Sequence, residues 1–209
     1  VAVKGNRARV TVTWSGFVSE GRGSRVPDFD QVAKAMGGGM CITGADGTYP
    51  VRAGIPIGDL GGGMFGVMGV LVALYERERS GVGQHVDISM LDCQISMLNY
   101  MATMHFLSGE DPYPIGNSHF VHVPYNTFSC SDGSIVIAVI TDNFWQYLKE
   151  LVDCPVFDDS KYDTQPGRWE DREMINSTLN NLFSSNTCQY WLAQLEAKRI
   201  PCAPVNSLS

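Results

Sequence analysis

The stretch Gly54-Ile55-Pro56-Ile57-Gly58-Asp59-Leu60-Gly61-Gly62-Gly63-Met64-Phe65 joins a short apolar segment to a long helical pattern at a single carboxylate. An Asp at a helix start normally caps the helix, because its carboxylate accepts hydrogen bonds from N–H groups of the first turn. The same N–H groups and the positive end of the helix dipole favour an ionised carboxylate. The three glycines let a ligand approach the backbone closely, since they lack a Cβ. Asp59 is therefore either a helix cap or a functional carboxylate.

The residues after Asp59 keep a helical pattern as far as about Arg79. This pattern closes with cations and then Gly81, which is typical of a helix C-terminus. Its most apolar part, from Met64 to Tyr75, is shorter than the roughly 18 residues needed to span a bilayer, so we predict a buried helix. Close packing against another helix or strand is predicted at its small residues, Gly62, Gly66 and Gly69.

Strands and helices alternate on both sides of this helix. Arg9–Trp14 is β-branched and alternating, as in a strand, and a glycine-rich loop follows it. A second strand is predicted at Gln84–Ser89. Helices are predicted at Asp28–Met36, with Asp28 as a candidate cap, and at Met90–Leu107. In the latter helix we expect three side chains to face inward, namely Ile95, Leu98 and Met101. This order of elements predicts an α/β fold.

The chain changes character between Glu110 and Pro124, where prolines and a glycine punctuate a polar stretch. We therefore predict a domain boundary, with a first domain at residues 1–110 and a smaller α+β domain at 111–209. A Ser131-Asp132-Gly133 turn joins two strands into a predicted hairpin. The strands are Asn126–Cys130 and Ser134–Val139, and the predicted helices that follow are Asn143–Val152, Arg172–Phe183 and Cys188–Lys198.

Composition excludes several classes of function. The chain has 209 residues and a formal net charge of -7, and no run of Lys or Arg offers phosphate contacts, so we expect no nucleic-acid partner. Its six cysteines show no CxxC pair and are interpreted as reduced core thiols of a cytoplasmic protein. The four histidines and six cysteines have no metal-type spacing, so we expect no metal site. We also expect no membrane partner.

The sequence lacks several common catalytic motifs, which leaves a carboxylate as the candidate catalytic group. The sequence has no Gly-x-Ser-x-Gly elbow, no P-loop and no Gly-x-Gly-x-x-Gly dinucleotide fingerprint. A carboxylate can act as a nucleophile on an activated acyl group such as a thioester, through a covalent intermediate. Backbone N–H groups near a helix start could stabilise the oxyanion that this attack creates. Asp59 is the carboxylate placed for such chemistry.

Several motifs, in the same order along the chain, resemble the family III CoA-transferases. The resemblance begins with the Asp59 stretch quoted above and extends over nearly the whole chain. The other matching runs are Phe29-Asp30-Gln31-Val32-Ala33, Met40-Cys41-Ile42-Thr43-Gly44, Leu74 to Asp92, Gly116-Asn117-Ser118-His119, Val123-Pro124-Tyr125-Asn126-Thr127-Phe128 and Ile200 to Asn206.

The resemblance implies a transferase that moves CoA from an acyl-CoA donor to a carboxylic acid acceptor. Asp59 would be the catalytic nucleophile, forming first a mixed anhydride and then an aspartyl-CoA thioester. Phe29 and Asp30 lie where the family lines the CoA and catalytic pocket, and Met90 where a residue contacts the CoA tail. The alternatives from the residues themselves are core packing for Phe29 and Met90 and a helix-start charge for Asp30. Coenzyme A would be a substrate, and no cofactor would be tightly bound.

The resemblance also implies an architecture, and this chain departs from the family pattern in two places. The expected fold is a partial Rossmann-like large domain with a smaller α+β domain, in an interlocked homodimer. Roughly the first hundred residues of such a protein are absent here, and we expect a fragment of a longer protein, mitochondrial if that missing part carries a transit peptide. Where relatives have a glycine-rich lid, this chain has Gly116, Asn117 and His119 as candidate substrate-binding residues, with His119 alternatively a surface residue. The Val-Pro-Tyr pattern leans towards dicarboxylic or longer acyl acids.

Two other functions stay open. The α-methylacyl-CoA racemase branch shares the Gly-Asp-x-Gly-Gly-Gly segment, but it uses a His followed by Asp as one base. The matching place here is Val26-Pro27-Asp28, with Pro27 where that histidine belongs. The second alternative is an inactive truncated homologue that acts only in oligomerisation.

Overall fold

A computed structural model describes residues 6–17 and 29–208 of the chain. The chain divides into two compact units, Val1–Gly116 and Asn117–Ser209, which we call the N-terminal unit and the C-terminal unit. The boundary predicted from sequence was at residue 110. Each unit is described by itself below.

In its described residues, 6–17 and 29–116, the N-terminal unit has two parallel strands and four helices. Strand β1 (Thr11–Ser15) pairs with β2 (His85–Ser89) along their full length, from Thr11 opposite His85 to Ser15 opposite Ser89. Parallel strands need a long crossover connection, which here contains two helices. The helices are α1 (Asp30–Met36), α2 (Ile57–Ser80), α3 (Met90–Ser96) and α4 (Tyr100–Ser108).

Glycines let α2 lie directly on the two strands. A Cβ at Gly62 would come within 3.0 Å of the Trp14 indole nitrogen, and one at Gly69 within 2.6 Å of a Val86 methyl carbon. Larger residues at these two positions would push the helix off the sheet. The prediction that small residues mark close packing is therefore confirmed at these positions.

The prediction of a buried helix at Met64–Tyr75 is wrong for much of its surface. The side chains of Val67, Leu71 and Val72 are 61%, 60% and 67% exposed. Within the described ranges, α2 is the one helix long and apolar enough to cross a membrane, judged by length and composition alone. Only 22% of the most apolar 18-residue stretch of α2 is buried. The apolar stretch in α2 is longer than predicted from the sequence, because it extends beyond Met64–Tyr75 and includes glycines.

Two other helix predictions need correction. The single helix expected at Met90–Leu107 is broken between α3 and α4, because Asn99 has a left-handed φ of 51° that a continuous helix cannot contain. Of the three side chains expected to face inward, Met101 is buried, Leu98 is half-buried and Ile95 is 47% exposed. Helix α1 begins at Asp30 and not at Asp28. The candidate cap Asp28 lies outside the described residues.

The C-terminal unit is an antiparallel sheet with helices packed against it. The strands are β3 (Tyr125–Ser129), β4 (Ser134–Ala138) and β5 (Cys202–Pro204). The helices are α5 (Asp142–Val152), α6 (Gln165–Glu170), α7 (Arg172–Phe183) and α8 (Cys188–Ala197), with two 3-10 turns at Pro155–Asp158 and Ser160–Asp163. The sheet has the order β3-β4-β5 and includes the predicted hairpin. The predicted helices after the hairpin agree with α5, α7 and α8 to within one residue at each end.

One hydrophobic core unites the elements of the C-terminal unit. Alternate residues of β4 are fully buried, and the helices contribute large apolar side chains to the same cluster. Phe183 packs edge-on against Trp191, with ring centroids 5.0 Å apart. The fully buried Arg168 extends this core, because its guanidinium donates hydrogen bonds to the carbonyls of Val123 and Tyr162 and to the carboxylate of Asp142.

Candidate functional site

Asp59 is the third residue of α2 and does not cap it. The residue at the N-cap position is Pro56, which has no side-chain hydrogen bond to offer, so the interpretation of Asp59 as the cap is wrong. The Asp59 side chain is exposed. Within residues 6–17 and 29–208, it has no hydrogen bond or ion pair. Its carboxylate lies in the first turn of a long helix, where the backbone N–H dipoles favour negative charge.

The start of α2 is capped instead by Asp30 from α1. The Asp30 carboxylate accepts a hydrogen bond from the Gly58 N–H at 2.8 Å. Gly58 is the second residue of α2, whose N–H has no partner inside the helix. A side chain at this position would crowd the contact, because a Cβ on Gly58 would lie 3.0 Å from the same Asp30 oxygen. A carboxylate 29 residues before Asp59 therefore performs the capping expected of Asp59.

Lys34 completes this arrangement and was missed by the sequence interpretation. Its ammonium group lies 2.5 Å from the other Asp30 oxygen, and its side chain is only 3% exposed. It also donates to the Ile55 carbonyl at 3.2 Å, just before α2 begins. The spacing of Asp30 and Lys34, four residues apart on one helix, is the signal that could have revealed this pair.

The glycines that follow Asp59 contact the chain itself. A Cβ at Gly61 would lie 2.4 Å from the Met97 methyl carbon, and Gly62 lies beneath Trp14. Both glycines are buried. The expectation that these two glycines open the backbone to a ligand is therefore wrong, since side chains of the N-terminal unit already fill the space.

The other two residues predicted to contact CoA differ in accessibility. Phe29 precedes α1 and is 74% exposed, so it is not packed in a core. Met90, the first residue of α3, is 6% exposed and its side chain lies against Gly62. Contact of Phe29, Asp30 and Met90 with CoA stays a prediction. Of these three, only Phe29 has a largely accessible side chain.

The candidate substrate residues lie on either side of the boundary between the units. Gly116, in the N-terminal unit, has a left-handed φ of 65°, and its N–H donates to the Gly44 carbonyl at 2.8 Å. Asn117, in the C-terminal unit, is exposed. His119 is partly buried and stacks on Tyr125, with ring centroids 5.0 Å apart. Substrate binding by these residues stays a prediction.

The geometry of His119 defines its protonation. Its Nδ1 accepts hydrogen bonds from the N–H groups of Val121 and His122, at 3.0 and 3.2 Å. Burial lowers the pKa of the His119 imidazole below its usual value, and the neighbouring His122 lowers it further. A neutral ring whose Nδ1 is an acceptor carries its proton on Nε2. The His119 side chain is therefore a neutral imidazole with its proton on Nε2.

The described residues contain no group of three or more His, Cys, Asp or Glu side chains that could hold a metal ion. The racemase alternative depends on Val26-Pro27-Asp28, which lies outside the described residues. The described residues do offer an exposed carboxylate at the start of α2, an ion pair at that start, and a histidine whose pKa is lowered.

Comparisons with known proteins agree with the sequence motifs. The model for CoA-transferase family III matches residues 3–209. The chain is 34% identical over 181 residues to a succinyl-CoA:mesaconate CoA-transferase from Haloarcula marismortui, covering 87% of this chain and 45% of that protein. It is 30% identical over 195 residues to a mouse succinyl-CoA:glutarate CoA-transferase, covering 93% and 45%.

A solved structure shares the fold. A CAIB/BAIF family protein from Brucella suis superposes with a TM-score of 0.86 at 28% sequence identity, covering 97% of this chain and 54% of that one. The chain spans about half the length of the proteins to which it is compared.

Proposed function

Since the chain belongs to CoA-transferase family III, we propose that the protein moves CoA from an acyl-CoA donor to a carboxylic acid acceptor, with Asp59 as the nucleophile. The observation that carries this proposal is the exposed Asp59 carboxylate in the first turn of α2, which has no partner among the described residues. Because Asp30 caps the helix, capping does not occupy the Asp59 oxygens. They remain available to attack a thioester.

Each proposed step balances without a cofactor. An Asp59 oxygen attacks the thioester carbonyl, the C–S bond breaks, and CoA thiolate leaves behind a mixed anhydride. The thiolate attacks the Asp59 acyl carbon and displaces the donor acid, which leaves an aspartyl-CoA thioester. The acceptor carboxylate attacks this thioester and expels the thiolate, giving a second anhydride. The thiolate then attacks the acceptor acyl carbon, which yields the new acyl-CoA and restores Asp59.

The acceptor is proposed to be a dicarboxylic acid. The two relatives described above are named for mesaconate and glutarate, each with succinyl-CoA as donor. A dicarboxylate presents one carboxylate for reaction and a second for recognition. Gly116, Asn117 and His119 are the residues that we propose for substrate binding.

The active protein is proposed to be a homodimer. The exposed apolar side chains of α2 support this, because a soluble protein rarely leaves so much contiguous apolar surface uncovered. A dimer interface of α2 is also the alternative to a membrane-spanning role for this helix. We propose acyl-CoA and carboxylic acids as the small-molecule partners, and a cytoplasmic location.

A transfer assay tests the proposed function. The protein is incubated with succinyl-CoA and, separately, with mesaconate, glutarate, oxalate and carnitine, and new acyl-CoA species are separated by chromatography. We expect transfer to a dicarboxylate and loss of at least about a thousandfold in kcat for Asp59→Ala, since the nucleophile is removed. The matched control is Asp92→Ala, because Asp92 is also exposed and is the third residue of α3. Transfer that survives Asp59→Ala contradicts the proposal.

A further inference from the structure

We infer that Asp30 and Lys34 form a positioning pair that holds the first turn of α2 and thereby sets the place of the Asp59 nucleophile. This inference rests on the proposed function and goes beyond it, because it gives Asp30 a role other than contact with CoA and assigns a role to Lys34. Both residues belong to α1, whereas Asp59 belongs to α2. The pair therefore acts through the backbone of another element.

A hydrogen bond from the Gly58 N–H to Asp30 caps the start of α2. The first N–H groups of an α-helix have no partner within the helix. In α3 the N-cap Ser89 supplies the usual solution, accepting from the Asp92 N–H at 3.1 Å. Pro56 cannot do the same for α2, and the Asp30 oxygen 2.8 Å from the Gly58 nitrogen replaces the missing cap. This bond fixes the Ile57–Gly58 peptide, one residue before Asp59.

Lys34 is buried beside the start of α2. Burying an ammonium group is costly unless it is paired and hydrogen-bonded. Here the 3% exposed side chain pairs with Asp30 and donates to the Ile55 carbonyl. The pair thus holds the chain on both sides of Pro56, at Ile55 before it and at Gly58 after it. Two attachments flanking the helix start restrain its position more than a cap alone.

Lys34 also neutralises the negative charge of Asp30 beside the start of α2. A lone Asp30 carboxylate beside the start of α2 would repel the neighbouring Asp59 carboxylate and the anionic thioester substrate. Lys34 cancels that charge at 2.5 Å. The helix start can then favour a single negative charge, the one on Asp59. Asp30 already uses one oxygen for Gly58 and the other for Lys34, which leaves it a poor candidate for direct contact with CoA.

Steady-state kinetics distinguish positioning from substrate contact. A nucleophile misplaced by about 1 Å can lose about a hundredfold in rate, so we expect Asp30→Ala to lower kcat by about a hundredfold with little change in KM for acyl-CoA. Asp30→Asn keeps an oxygen for the Gly58 N–H and should retain more activity than Asp30→Ala. Lys34→Met keeps the apolar stem and should lower kcat about tenfold. Lys149→Met is the control, since it breaks a similar Lys–Asp pair with Asp163 in the C-terminal unit.

Amide hydrogen exchange gives a readout that does not require activity. A peptide spanning residues 55–60 reports on few amides, because Pro56 has no N–H. Among the described residues, Asp30 is the acceptor that protects the Gly58 amide. We expect faster exchange at Gly58 in Asp30→Ala and unchanged exchange in Asp30→Asn and Lys149→Met. Unchanged exchange at Gly58 in Asp30→Ala would overturn the cap.

The outcomes separate the two proposals. Absence of transfer by the unaltered protein overturns the proposed function and the catalytic role of the pair, while exchange at Gly58 still decides whether Asp30 holds the helix. If the unaltered protein is active but Asp30→Ala raises KM for acyl-CoA and leaves kcat intact, Asp30 is a CoA contact and the positioning role is wrong. An active Lys34→Met variant with normal kcat also overturns the inference.

Discussion

The two units differ in how deeply their large apolar side chains are buried. In the C-terminal unit, Ile137, Leu179 and Phe183 are completely buried in a core built from its own strands and helices. In the N-terminal unit, Leu71 and Val72 on α2 are more than half exposed. Parallel sheets normally have both faces covered, yet an open groove of about 290 Å³ lies between β1 and α2. The C-terminal unit builds its core from its own elements, whereas α2 in the N-terminal unit leaves much of its apolar surface exposed.

The largest expected effect follows from separating the units. Residues 117–209 expressed alone should fold cooperatively, because their core needs no other part of the chain. Residues 1–116 expressed alone should aggregate or unfold without a sharp transition, since their apolar surface exceeds what a small soluble domain tolerates. Circular dichroism during thermal unfolding measures both. A sharp transition from soluble, monomeric 1–116 would remove the contrast between the units.

Removal of the buried cation should strongly destabilise the C-terminal unit. Arg168→Met leaves the Asp142 carboxylate and the carbonyls of Val123 and Tyr162 without their donor. Breaking such a buried network costs about 3 kcal/mol or more. Urea unfolding followed by tryptophan fluorescence measures the free energy of unfolding. Arg172→Met is the control, because Arg172 is only partly buried, and an equal loss in both variants would show that burial of Arg168 is not decisive.

A pair of leucines tests the contrast between the units more finely. Leu179 is fully buried in the C-terminal unit, and Leu71 is 60% exposed in the N-terminal unit. Leu179→Ala should cost about 3 kcal/mol of unfolding free energy at every protein concentration. Leu71→Ala should cost less than about 0.5 kcal/mol at concentrations where the chain is monomeric, and more where the proposed dimer forms on α2. The measurement is urea unfolding of the whole chain for each variant over a range of protein concentrations, and a large loss for Leu71→Ala in the monomeric chain would contradict the contrast.

The smallest expected effect is the pH response of His119. Folding lowers its pKa through burial, so below the ordinary histidine value of about 6.5 the unfolded chain binds a proton that the folded chain does not. Stability of the C-terminal unit should therefore fall as the pH drops from 7.5 towards 5.5. His119→Asn keeps an acceptor for the two N–H groups and should flatten this dependence. Thermal unfolding at a series of pH values measures it, and identical slopes for both proteins would contradict the assignment.

Local patterns predicted much of the fold. The helical period gave α7 at Arg172–Phe183 with the same ends as the structure, and the Ser131-Asp132-Gly133 turn marked the hairpin. The break between α3 and α4 was not predicted, because the apolar pattern runs through Asn99 and no glycine or proline interrupts it. The positive φ of Asn99 ends the helix there. Asn adopts a positive φ more often than most residues do.

The site was predictable only in part, for a physical reason. A helix start with a carboxylate and glycines singled out Asp59 from local sequence alone. The cap from Asp30 to Gly58 joins residues 28 positions apart, and such a contact arises from the packing of α1 against α2. Likewise, nothing local shows that Met97 and Trp14 fill the space over Gly61 and Gly62. Tertiary contacts therefore assign capping to Asp30 and leave the carboxylate of Asp59, the proposed nucleophile, uninvolved in the cap.

The most direct test of the central claim is to trap the covalent intermediate on Asp59. The protein is mixed with succinyl-CoA, treated with hydroxylamine and digested, and the peptides are analysed by mass spectrometry. We predict a hydroxamate on Asp59 that requires acyl-CoA and appears equally in the Asp92→Ala variant. Transfer of CoA with no modification of Asp59, or with the modification on another carboxylate, would contradict the account.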